Sequence, residues 1–200
     1  IHVLEKDPIP GGACDRYKYQ DIGYVLRGGR EMYNHFECMW DLFRSIPSIE
    51  DENVTVLDEY YWLNKHDPNY SLCRATVNCG EDAHTDGKFG LSDKGAMEIL
   101  KLFMTPDEQL YDKKITDFFD DEVLNTNFWL YWRTMFAFEN WHSALEMKRY
   151  LQRYIHHIGG LPDFTALRFT RYNQYESMIL PMVKYLESYG VQFHYGVKVT

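Results

Sequence analysis

Apolar positions recur along the chain with two different periods. Phe36, Met39, Trp40, Phe43 and Ile46 return every three or four residues before Pro47, which predicts a helix with one aromatic face turned inward. Residues 54–63 and 70–78 are instead rich in β-branched and aromatic side chains. With the polar connector Asn64-Lys65-His66-Asp67-Pro68-Asn69 between them, they read as a hairpin. Residues 79–90 form a polar, glycine-containing loop, and helical signals dominate after it. Ser92 precedes a stripe of Ala96, Ile99, Leu100 and Phe103, and Thr105-Pro106-Asp107-Glu108 has the form of a capping box with proline at the first helical position. Residues 127–138 are apolar almost all round, which predicts a helix buried on several sides and serving as core or as cavity wall.

Ser143-Ala144-Leu145-Glu146 is a second capping box. It opens a helix striped by Met147, Leu151, Tyr154, Ile155 and Ile158 and closed by Gly159-Gly160 and Pro162. Asn173-Gln174-Tyr175-Glu176 opens another, in which Pro181 predicts a kink and Gly190 the end. At the two ends the period is that of strands. His2-Val3-Leu4-Glu5 reads as a short buried strand closing on an acid, with a turn at Pro10-Gly11-Gly12-Ala13, and residues 191–200 alternate around Gly196. A strand closing on an acidic residue suits the second strand of a dinucleotide-binding fold, where the acid accepts hydrogen bonds from ribose hydroxyls. The same pattern also suits an ordinary exposed strand end. The Gly-x-Gly-x-x-Gly turn that precedes that strand by about 20 residues does not occur in the sequence, and the first residue is Ile, so a portion of a longer protein is expected.

The organisation expected is therefore α/β. Residues 1–32 belong to a dinucleotide-binding domain, 33–172 form an inserted hairpin and a mostly helical substrate domain, and 173–200 return to the first domain.

Composition narrows the function classes. Hydrophobic residues make up 45% and charged residues 26% of the 200, the profile of a chain that buries a core. A net charge of −9 argues against a nucleic-acid partner. Aromatic residues at 16% suit either a large aromatic core or an apolar ligand cavity. Cys14, Cys38, Cys73 and Cys79 have neither Cys-x-x-Cys nor metal-ligand spacing, which suggests reduced thiols and a cytoplasmic setting. No apolar run approaches the roughly 18 residues of a membrane span, and no signal peptide is visible; peripheral membrane contact stays open. His35, His142 and His156-His157 lack H-E-x-x-H or similar spacing, so a metal is not expected.

The stretch with the strongest chemical character is Arg27-Gly28-Gly29-Arg30-Glu31-Met32. Paired glycines allow close backbone approach to a ligand, and flanking guanidinium groups bind phosphate or carboxylate bidentately. A cofactor-facing loop and a solvated surface turn are both consistent with it.

These segments together resemble one family. Val3-Leu4-Glu5-Lys6, Gly11-Gly12-Ala13, the Arg27–Met32 stretch, Asn34-His35-Phe36-Glu37-Cys38, Phe138-Glu139-Asn140-Trp141-His142-Ser143 and Tyr172-Asn173-Gln174-Tyr175-Glu176-Ser177-Met178 resemble, in the same order, the bacterial oleate hydratases, once called myosin-cross-reactive antigens. The resemblance extends over essentially the whole chain. It implies part of an FAD-binding, Rossmann-like fold of the glutathione-reductase type, and hydration of the cis-9 double bond of oleate or linoleate to a 10-hydroxy acid. It further implies FAD in a non-redox role, a homodimer and peripheral contact with membranes.

By the same resemblance Glu31 is the catalytic carboxylate that orients water, Tyr150 the proton donor, and Gln174 a contact to the substrate carboxylate. Glu5, Gly12, Arg27, Gly28, Gly29, Arg30 and Met32 are the implied flavin contacts. Tyr33 departs from the family pattern, which has an acidic residue there. Read from the residues alone, Tyr150 borders an apolar stripe as a packing tyrosine would, and Gln174 caps or faces solvent. A redox flavoenzyme acting on a lipid, and a non-catalytic fatty-acid-binding protein, are the alternative functions. An unactivated alkene is hydrated only if one group delivers a proton to one carbon while another holds water at the other, roles suited to a phenol and a carboxylate.

Overall fold

The computed structural model describes residues 1–14, 17–26, 31–72, 75–165 and 167–200. The chain forms two compact units, Ile1–Asn69 with Leu167–Thr200, and Tyr70–Ala166. The mixed helix and strand content agrees with the expected α/β class. The helical unit is shorter than the 33–172 insertion drawn from the sequence.

In the first unit β1 (His2–Glu5) pairs in parallel with the last strand of the chain, Gln192–Tyr195, with Val3 opposite Phe193 and Glu5 opposite Tyr195. Parallel neighbours cannot be joined by a tight turn, so the intervening chain is one long crossover. The β1 strand was expected to be buried. Its His2 and Leu4 side chains are exposed, and only Val3 and Glu5 are partly covered. A small antiparallel hairpin comes next, made of β2 (Tyr17–Tyr19) and β3 (Gly23–Val25).

Helix α1 (Glu37–Phe43) buries Trp40 and Phe43, as its spacing predicts. The next element corrects the sequence reading, because residues 56–66 form helix α2 (Val56–His66) where a hairpin strand was expected. Thr55 is the reason. Its Oγ1 accepts from the Asp58 backbone N–H at 3.1 Å, while Asp58 Oδ2 accepts from the Thr55 N–H at 3.4 Å, a reciprocal cap that starts a helix despite the β-favouring composition. Val56 and Tyr60, one turn apart, then face α1, where the Tyr60 ring stacks on Trp40 with centroids 4.1 Å apart. With Met32, Ile46 and Met178 these residues make the core of the unit.

The segment from 173 behaves as its capping pattern predicts. Asn173 Oδ1 accepts from the Glu176 N–H at 3.0 Å, and Asn173 Nδ2 donates back to the Glu176 carboxylate at 2.6 Å. The accommodation of Pro181 is specific. A π-helical turn at Tyr175–Ile179 widens the helix just ahead of α7 (Leu180–Ser188), where proline lacks an N–H and crowds the carbonyl four residues before it. Gly190, at φ +81°, ends α7. The Val191 N–H returns to the Leu186 carbonyl at 3.1 Å and the Gly190 N–H to that of Glu187 at 2.9 Å, the two bonds of a Schellman closure. The strand β6, already placed beside β1, comes directly after it.

The second unit begins with a two-residue-strand hairpin, β4 (Thr76–Val77) and β5 (Glu81–Asp82), the only strand pairing among the described residues of 70–90. Helix α3 (Asp93–Met104) starts where expected, the Ser92 hydroxyl accepting from the Gly95 N–H at 3.0 Å. Thr105 opens no α-helix. Its hydroxyl donates back to the Lys101 carbonyl at 2.7 Å, closing α3, and only a 3₁₀ turn, Asp107–Gln109, succeeds it. Helix α4 (Asp121–Leu124) is capped by Asp120, α5 (Asn127–Phe136) by Thr126, and α6 (Ala144–Tyr154) by Ser143. Four of the ten α5 residues, Phe128, Trp129, Tyr131 and Trp132, are buried, as an all-round apolar helix requires. Leu102, Met147 and Leu151 pack against them to complete a single core. Helix α6 stops at Tyr154, earlier than its stripe suggests, and a separate 3₁₀ turn holds Ile158–Gly160.

One buried cation ties α6 to the end of α3. Lys148 is 6% exposed, and its Nζ donates to the Thr105 carbonyl at 2.7 Å and to Asp107 Oδ1 at 2.5 Å, while Arg149 reaches Asp107 Oδ2 at 3.3 Å. The Lys148 hydrogen bond holds the Asp107 carboxyl below its ordinary range, and Lys94 does the same for Asp120 and Glu122. Acids depressed in the folded state stabilise it above their unfolded pKa of about 4 and lose that contribution as pH falls through the folded values. The thermal midpoint of the full-length protein is therefore expected to drop as pH falls below about 4. Replacing Lys148 with Met should make that drop shallower, as measured by circular dichroism.

Candidate active site

The acidic candidate of the first unit is placed by its neighbour. Glu31 is exposed, whereas Met32 is 6% exposed and is pinned by a two-way backbone bridge. The Met32 N–H donates to the Arg168 carbonyl at 2.7 Å, and the Arg168 N–H returns to the Met32 carbonyl at 3.3 Å. The main chain one residue after Glu31 is thus fixed, and the carboxylate itself is left to solvent.

Gln174 converges on the same point. It is 8% exposed, and its Nε2 donates to the Met32 sulfur at 3.2 Å. The sequence suggested capping or solvent for this residue. The Asn173 side chain does the capping and Gln174 turns inward. Tyr33, 2% exposed, packs its ring against His35 and Phe36, and its carbonyl accepts the Trp40 indole N–H at 2.9 Å.

Of the expected cofactor contacts, Glu5 ends β1. Glu5 is half-buried there, with Oε1 accepting from the Asp7 N–H at 2.9 Å. Gly12 adopts φ +53° at the start of the 3₁₀ turn Gly12–Cys14, with nothing within 4 Å of where a side chain would begin. Arg27, Gly28, Gly29 and Arg30 lie outside the described residues.

A groove of about 630 Å³ walled by α1 and α2 was not foreseen. Trp40 and Tyr60 line it, with Asn34, Asn64, Lys65 and Arg168 contributing polar groups, and among the described residues neither Glu31 nor Gln174 borders it. Tyr60 is held there as a donor. Its hydroxyl gives a 2.9 Å hydrogen bond to Asn34 Oδ1, and burial pushes its phenol well above the ordinary value, against the opposing charge of Arg168. The signal that would have found the groove is the Thr55-x-x-Asp58 cap, since without α2 it has no wall.

In the second unit Tyr150 stands on α6 at 38% exposure. Its ring meets Phe136 at 5.6 Å and 68° and Phe138 at 5.2 Å and 87°. Its hydroxyl makes no hydrogen bond among the described residues. The polar members of the Phe138–Ser143 motif, by contrast, build the α5–α6 connection. Asn140 Oδ1 accepts the Trp129 indole N–H at 2.9 Å, Glu139 takes both Arg133 bonds at 2.7 and 2.9 Å, and His142 Nδ1 accepts from the Glu139 N–H at 3.1 Å. Of that motif, Phe138 is the member whose ring meets Tyr150.

Among the described residues no helix is long and apolar enough to cross a membrane, and no group of three or more His, Cys, Asp or Glu side chains is arranged to hold a metal.

The chain is a member of the MCRA family, whose pattern it matches over residues 1–200. The resemblance read from the ordered motifs is borne out. The chain is similar over all 200 residues, at 52% identity, to the oleate hydratase of Streptococcus pyogenes serotype M49 (strain NZ131), covering 34% of that protein. It is also 35% identical over 177 residues, 86% of its length, to the linoleate hydratase of Lactiplantibacillus plantarum, covering 31% of that protein. The chain thus spans about a third of the length of these curated relatives.

Proposed function

We propose that the full-length protein hydrates the cis-9 double bond of unsaturated fatty acids such as oleate and linoleate, giving 10-hydroxy acids. The observation that carries this reading is the 52% identity, unbroken over the whole chain, to a protein named oleate hydratase.

Tyr150 gives its phenolic proton to C9 as the water oxygen bonds to C10. Glu31 orients that water and takes its surplus proton, and proton exchange with solvent restores both groups. The phenol, with a reference pKa near 10, acts as a weak acid, so the developing positive charge on carbon needs electrostatic support. Gln174 is assigned to the substrate carboxylate, and in that role its amide turns away from the Met32 sulfur.

FAD is the proposed cofactor. The residues present suit it: Glu5 stands at the carboxyl end of a parallel strand, where such folds bind ligands, and the open Gly12 turn admits close backbone approach. Glu5, Gly12, Met32 and the Arg27-Gly28-Gly29-Arg30 loop would hold it within a Rossmann-like domain. When bound, FAD supplies a fixed, polarising surface for the hydration and takes no hydride from the substrate. A bacterial, cytoplasmic homodimer that meets membranes peripherally to collect its substrate completes the reading.

The test is incubation of the full-length protein with FAD and oleate in ¹⁸O-water, with the fatty acids then analysed by mass spectrometry. A 10-hydroxy acid carrying the label is the expected product. Flavin bleaching without that product would assign the protein to lipid redox chemistry, and saturable oleate binding without product to lipid sequestration.

A further inference from the structure

We infer that the corner Phe136-Ala137-Phe138 is a positioning device for Tyr150, an inference that rests on the assignment of Tyr150 as proton donor. Three observations carry it.

The first is the backbone. Two residues apart in an α-helix, side chains point about 200° away from each other, so Phe136 and Phe138 would face opposite sides if α5 continued. It does not continue. Ala137 adopts the left-handed conformation, φ 55° and ψ 37°, which a side chain with a Cβ disfavours and which glycine normally supplies at a helix end. The reversal of direction there brings both rings onto the same tyrosine.

The second is that the corner is held from behind. Phe138 is 4% exposed, and Phe136 packs on Trp132 at 4.6 Å and on Tyr154 at 4.7 Å. Such packing over-determines the unfavourable backbone, as is typical where a strained residue has a role.

The third is that no described residue restrains the phenol by a hydrogen bond. The Tyr150 hydroxyl makes no hydrogen bond within the described residues, and among them the ring is packed by Phe136, Phe138 and Tyr154. Phe136 and Phe138 stand steeply to it, at 68° and 87°, while Tyr154 stacks on it at 6.4 Å and 26°, an arrangement that favours particular ring orientations over free rotation. A proton donor so held presents its hydroxyl in one direction, with no partner among the described residues competing for the proton.

The experiment uses the FAD-loaded full-length protein with Phe136→Leu, Phe138→Leu, Phe136→Tyr and, as a packing control, Phe128→Leu. Phe128 is 2% exposed in the same core and has no ring contact with Tyr150. The two Leu variants at the corner are expected to lower kcat roughly 10- to 100-fold, the cost of a misplaced group, with KM within about 3-fold. Phe136→Tyr keeps a ring and should restore kcat to within about 3-fold of the parent. Incorporation of 3-fluorotyrosine at position 150 gives a readout independent of turnover. Two resolved ¹⁹F resonances are expected in the parent and one averaged resonance in the corner variants.

A kcat loss in Phe128→Leu equal to that in Phe138→Leu would reduce the corner to ordinary packing and overturn the proposal, as would an unchanged ¹⁹F spectrum in the corner variants. If Tyr150→Phe itself turns over at the parental rate, the donor assignment has failed, and the positioning role falls with it even where the fluorine spectra show a held ring.

Discussion

Tyr150→Phe in the full-length protein is expected to lower oleate hydration by about 10²- to 10⁴-fold, the range associated with losing a general acid. The structure makes this substitution unusually easy to interpret. It removes one oxygen atom that bonds to nothing among the described residues, so no buried partner is orphaned, and the ring contacts to Phe136 and Phe138 persist. Thermal stability should stay within a degree or two of the parent. Glu31→Gln is the companion change, an isosteric loss of charge at an exposed position whose backbone direction is fixed by the Met32–Arg168 bridge. It should match Tyr150→Phe in magnitude, measured as hydroxy acid formed per unit time at saturating oleate. Near-normal turnover in both variants would sink the assignment of these two residues.

The largest structural effect is expected at Trp132. The side chain is fully buried, with Phe128, Phe136 and Phe138 around it at centroid distances of 5.7, 4.6 and 6.4 Å. Its indole N–H has no hydrogen-bond partner among the described residues. Trp132→Ala therefore forfeits packing alone, and a cavity of that size costs about 3–5 kcal/mol. Guanidinium unfolding of the full-length protein is the measurement, and a loss below about 1 kcal/mol would mean that the aromatic cluster relaxes around the gap. The same substitution takes away the backing of Phe136 and Phe138, so hydration should fall further than stability alone explains.

How much the sequence disclosed depends on the range of the interactions involved. Ser92, Ser143 and Asn173 start helices through bonds to a backbone N–H three residues away, and such local grammar is visible in a string of letters. Thr55 and Asp58 use the same grammar, but the β-branched and aromatic residues around them pointed to a strand. The cap starts the helix, and the face that Val56 and Tyr60 turn to Trp40 holds it against the β-favouring composition, a tertiary fact. Pro106 misled in the other direction, because the Thr105 hydroxyl serves the helix that ends there.

The chemistry divides similarly. Glu31 stood out beside its glycines and arginines, whereas Tyr150 looked like any packing tyrosine and was singled out only by family resemblance. The corner that holds it turns on a left-handed alanine, which no composition rule marks.

The π-turn at Tyr175–Ile179 has a consequence for how the polypeptide can vary. A widened turn amounts to one residue more than the α-helix would hold, so it shifts the angular phase between the residues on its two sides by about 100°. Gln174 lies on the early side of that shift, while the residues of α7 lie on the late side. Loss of a single residue within Tyr175–Ile179 would leave a continuous helix with α7 seated as before, yet swing Gln174 about a quarter turn away from Met32. Length is therefore constrained in this stretch more tightly than residue identity.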